Sequence, residues 1–180
     1  MLYDIFSYLT EKGYAIIYKR ATNKEGFAID QNEQNTLLSN LEGIKANVEG
    51  LGIINDHQLT EFFDDVYLID NLIKEDYNKT QLQIMANAEG FISVCGGNSV
   101  LSSCFGKTVI SYIHKGKELR PEYFSENSYF KKLSNANVIP IFDVIASINN
   151  LDLVKEYGYD INYTNKNDYS KLIKTIKQEF

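Results

Sequence analysis

The residues best suited to chemistry in this 180-residue chain form a short glycine run, Cys95-Gly96-Gly97-Asn98-Ser99. Two adjacent glycines let a backbone approach a ligand closely and permit positive φ. A helix starting directly after them would aim its first N–H groups and its positive dipole end at the same spot. Asn98 and Ser99 add side-chain hydrogen bonds. Such a set suits a phosphate or a diphosphate. Two established phosphate loops are excluded: no Gly-Lys-Ser/Thr ending follows, and the Gly-x-Gly-x-x-Gly spacing is missing. The competing reading is a tight strand-to-helix turn that needs glycine for geometry alone.

Two further places carry charge that could serve the same cleft. Lys19-Arg20 ends a short apolar run. Arg offers a bidentate fork to phosphate and Lys a point charge, so both are candidate diphosphate contacts. The plainer reading is a solvated pair balanced by Glu25 or Asp30. His114 and Glu118 follow another apolar run, among Lys115, Lys117 and Arg120. They are candidates for ribose or sugar contacts, and His114 also for acid or base work. Asp30-Gln31-Asn32-Glu33 reads as a solvated polar loop. The only histidines, His57 and His114, have no Cys or His at ligand spacing, and Asp64-Asp65 does not make a metal site alone. No Gly-x-Ser-x-Gly motif appears. Neither a metal nor a cofactor is expected.

These residues need elements to position them. Leu2, Ile5, Phe6 and Leu9 share one helical face, which predicts a helix over 2–12 stopped by Gly13. Short apolar runs predict strands at 14–18, 66–69, 91–94, 108–113 and 138–142. Helices are expected at 56–63, capped by Asp56, at 80–89 with Leu82, Met85 and Ala86 inward, and from Asn98 or Ser99 to Phe105. Others are expected at 127–133, 143–157 and 168–179. Leu37 to Ile54 carries no clear period. Pro140 lacks a donor, so its strand belongs at a sheet edge. Alternating short strands and helices predict an α/β fold: a Rossmann-like, three-layer domain over 1–165, its mainly parallel sheet of about five strands covered by helices on both faces. Residues 166–180 are expected to form a C-terminal helix packed on it.

Composition narrows the function classes. The net charge of −6 argues against a nucleic-acid partner, which needs a basic footprint. Two cysteines nine residues apart make neither a disulfide framework nor a metal motif. No apolar run reaches transmembrane length and no basic leader opens the chain, so a cytoplasmic location is expected.

From Tyr77 to Ile113 the chain resembles the sugar-donor domain of GT-B-fold glycosyltransferases. The matching pieces are the helix Lys79 to Glu89, the strand Phe91-Ile92-Ser93-Val94, the loop Gly96-Gly97-Asn98-Ser99, the short helix ending Phe105-Gly106, and the strand from Thr108. The first helix, the Gly13 turn and the strand ending Lys19-Arg20 resemble an upstream part of the same domain. The resemblance implies that the glycine loop cradles the diphosphate of a nucleotide-sugar substrate. Sugar-nucleotide epimerases share this layout. Two departures are plain. The segment Val100-Leu101-Ser102-Ser103-Cys104-Phe105 holds no acid where the family often has a ribose-binding Glu. The acceptor domain and a first strand also have no counterpart here.

The leading expectation is therefore a nucleotide-sugar-binding donor domain, a transferase only when completed by an N-terminal acceptor domain or a second chain. The alternatives are a non-catalytic α/β interaction module and a fragment of a GT-B sugar-nucleotide epimerase.

Overall fold

The computed structural model describes residues 1–19, 45–72, 76–94, 96–113, 132, 134–142 and 169–180. The expected helices at 127–133 and 143–157 fall largely or wholly outside these residues. The chain divides into two compact units, Met1–Tyr77 and Asn78–Phe180.

The first unit opens with helix α1 (Leu2–Glu11), which buries Ile5, Phe6 and Leu9. Gly13 ends it at φ +86°. The Gly13 N–H donates to the Thr10 carbonyl (2.9 Å) and the Tyr14 N–H to that of Leu9 (3.0 Å). These two bonds form a Schellman cap, whose left-handed residue is normally glycine. Strand β1 (Ile16–Tyr18) follows. Strands β2 (Lys45–Val48) and β3 (Gly52–Asn55) make an antiparallel hairpin. Its turn is closed by the Leu51 N–H donating to Val48 O (3.0 Å). Gly50 stands third in that turn at φ +80°, the place where a type II turn requires positive φ.

A 3₁₀ helix (Asp56–Phe62) comes next, begun one residue earlier than the sequence suggests. Asn55 is its N-cap residue, and the Asn55 N–H donates to Gln58 Oε1 (2.9 Å). Asp56 is buried and accepts from the Tyr18 hydroxyl (2.8 Å) through Oδ2. Strand β4 (Val66–Leu68) then pairs in parallel with β1, in register Ile16↔Val66 to Tyr18↔Leu68. The short helix α2 (Ile69–Leu72) follows directly. Leu59, Val66 and Ile69 are buried with the α1 face. The Phe6 ring meets Tyr18 and Phe63 edge-on at 5.5 and 5.9 Å between centroids.

Helix α3 (Tyr77–Asn87) starts three residues before the expected position. Its buried residue is Gln81, whereas Leu82 is 44% exposed and Ala86 is exposed too, so the expected inward face is corrected. Tyr77–Asn87 offers too few apolar side chains to fix one stripe.

In the second unit strands β5 (Gly90–Val94), β6 (Thr108–Ile113) and β7 (Asn137–Phe142) form an all-parallel sheet in that order. Helix α4 (Gly97–Ser103) joins β5 to β6, and helix α5 (Ser170–Glu179) ends the unit. The central strand β6 is covered on both faces: Val109, Ile110, Ser111 and Ile113 are all buried. That burial explains its nearly unbroken apolar run. The Asn137 N–H donates to Lys107 O (3.2 Å), so the N–H groups at 139 and 141 face β6 by alternation. The position of Pro140 faces away, toward an edge with no other strand among the described residues. A missing donor costs nothing to the ladder there.

Leu172 and Ile176 of α5 are buried, and the Phe180 ring lies over Gly90. A Cβ at Gly90 would come within 2.5 Å of that ring. The protein is thus mixed α/β with parallel strands. The five strands read from the sequence all occur, hydrogen-bonded as a pair and a triple among the described residues. No helix among the described residues is long and apolar enough to cross a membrane.

Candidate functional site

The glycine loop lies past the carboxyl end of β5, where open parallel sheets bind ligands. Gly96 and Gly97 differ from the glycines that the fold requires. Gly96 is extended (φ 163°), neither it nor Gly97 has a left-handed φ, and a Cβ on either would meet nothing within 4 Å. Gly106 is the opposite case. It sits at φ +69°, and a Cβ would fall 2.5 Å from the backbone carbonyl of Ser134. Turn geometry and packing among the described residues therefore do not demand glycine at 96 and 97.

Ser99 is buried and engaged locally. Its hydroxyl donates to Gly96 O (2.8 Å) and accepts from the Gly96 N–H (3.1 Å). The Val100 N–H also reaches Gly96 O (3.2 Å). Ser99 thus shapes the loop. Gly97 and Asn98 are exposed at the start of α4, where N–H groups have no intrahelical acceptor.

The sequence reading missed the serine face of α4. Ser99, Ser102 and Ser103 stand at i, i+3 and i+4 and are all buried. Ser102 donates to Asn98 O (2.8 Å) and Ser103 to Val100 O (2.7 Å). Each hydroxyl is satisfied within its own helix, so the face packs like small apolar residues. Ser111 on β6 differs: its buried Oγ has no hydrogen-bond partner among the described residues. Cys104 carries a free, exposed thiol just after α4.

Lys19 lies in the first unit, immediately past the carboxyl end of β1. Its Nζ stands 5.8 Å from the centroid of the Tyr77 ring. Burial lowers the Lys19 pKa, and the Asp70 charge acts against that shift. Burial raises the Tyr77 pKa, and Asp70 raises it further. Asp70 sits in the first turn of α2, just beyond the end of β4. An amine, a carboxylate and a phenol are therefore gathered where the β1–β4 pair ends. Sequence reading proposed Lys19 but neither partner. The available signal was positional, since residues 19 and 70 each follow an apolar strand.

The same unit holds a second polar group. Asp56 Oδ2 takes the Tyr18 hydroxyl, and Asp56 Oδ1 lies 3.7 Å from His57 Nδ1. No cluster of three or more His, Cys, Asp or Glu able to hold a metal occurs among the described residues. Arg20, Cys95, His114 and Glu118 lie outside the described residues, as do 30–33 and 115–120.

Compared with known proteins, the chain matches no family model, no curated protein and no solved structure.

Proposed function

We propose that the Gly96–Ser99 loop binds the diphosphate of a nucleotide-sugar, as the donor side of a glycosyl-transfer reaction. The observation that carries this reading is the open backbone at Gly96 and Gly97. Neither glycine answers a positive φ or a crowded neighbour. Close approach of a ligand is a remaining reason for two adjacent residues without side chains. The position past a parallel strand and before a helix supports the same reading.

Catalysis in this scheme is electrostatic. N–H groups of Gly97 and Asn98 meet the negative charge that develops on the departing diphosphate, and Ser99 keeps the loop in shape. From sequence position, His114 and Glu118 are the candidates for the sugar and ribose. Lys19 belongs with Asp70 and Tyr77 in its own unit. The base and acceptor come from an N-terminal domain or a second chain.

Titration calorimetry of the full chain with UDP-, GDP- and ADP-glucose tests the proposal. One of the three is expected to bind, and Gly97→Val is expected to weaken it about ten-fold or more, since the Cβ branches occupy the approach. A folded protein that binds none of the three overturns it.

A further inference from the structure

We draw no further inference here: the strongest candidate, the apolar ledge at the carboxyl ends of β5 and β6, where Val94 is 65% exposed beside Tyr112 and the Tyr112 ring centroid lies 6.0 Å from that of Tyr169, carries nothing because nothing in the structure shows what covers it.

Discussion

Alanine at four glycines separates what the fold requires from what a ligand would require. Gly106→Ala places a side chain at φ +69°, a left-handed conformation costing about 1–2 kcal/mol in an L-residue. The new Cβ would also lie 2.5 Å from Ser134 O, closer than real Cβ atoms come. The obstruction is backbone and is tied down nearby, since the Ser134 hydroxyl donates to Ser103 O (2.5 Å). Forcing the two apart adds about 1–3 kcal/mol by analogy with overpacked cores. The expected loss is then about 2–5 kcal/mol, a large share of a typical stability of about 5–15 kcal/mol. It corresponds to a melting shift of roughly 4–20 °C for a chain of this size. Gly90→Ala meets the Phe180 ring instead, a movable side chain, and is expected to cost less. Gly96→Ala and Gly97→Ala meet nothing, and at Gly97, the first residue of α4, alanine is expected to be neutral or to stabilise by up to about 1 kcal/mol. Urea titration followed by far-ultraviolet circular dichroism measures all four. If Gly96→Ala or Gly97→Ala destabilises as strongly as Gly106→Ala, the fold itself needs those glycines. The argument for a ligand at the loop then falls.

Two further outcomes are expected. Ser111→Ala removes a buried hydroxyl that has no partner among the described residues, so it is expected to leave stability unchanged or raise it by about 1 kcal/mol, as urea titration reads; a loss above about 1 kcal/mol would show that the hydroxyl is bonded. In alkaline solution Lys19 and Tyr77 act in opposite directions. Lys19 has a folded pKa below 10.5, so the unfolded chain binds the extra proton between the two values and stability rises with pH there. Tyr77 has a folded pKa above 10.0, so the unfolded chain loses its proton first and stability falls as pH rises from 10.0. Lys19→Met is expected to remove the rise and Tyr77→Phe the fall, measured by urea titration from about pH 9 to 11. An unchanged slope in both variants refutes the assignment.

Where the fold was legible in the sequence, a local rule coincided with the tertiary need. The face Ile5, Phe6, Leu9 and the stop at Gly13 belong to one helix and its cap, and both appear as read. The run Thr108 to Ile113 is apolar because β6 is covered on both sides, and Pro140 falls where β7 needs no donor. The hairpin Lys45–Asn55 was not legible. Its strands are four residues each and mostly exposed or half-buried, with Ile53 at 75% exposure, so no apolar alternation announces them. The turn glycines 50 and 52 were visible, but short strands are held by cross-strand bonds that a local pattern does not carry. Helix α3 misled for a related reason. Leu82 suggested an inward face, yet burial falls on Gln81, whose amide lies 3.7 Å from Met85 Sδ.

The candidate sites divide along the same line. The glycine loop is contiguous, so its residues were legible from Gly96 to Ser99, and what the structure added was the local engagement of Ser99. The Lys19 cluster joins residues 51 and 58 positions apart, through the pairing of β1 with β4. Nothing near Lys19 in sequence hints at Asp70 or Tyr77. The two places nonetheless follow one physical rule. At the carboxyl end of a parallel strand the chain leaves the ladder and a helix begins, so unpaired N–H groups and loop side chains collect there. Gly97 opens such a helix after β5, and Ile69 opens one after β4. In the first case the collected groups are backbone amides, which suit an anion. In the second they are an amine, a carboxylate and a phenol, with the amine set against the phenol ring. The chemistry at each end is thus set by which side chains the loop supplies, and the parallel pairing decides only where they meet.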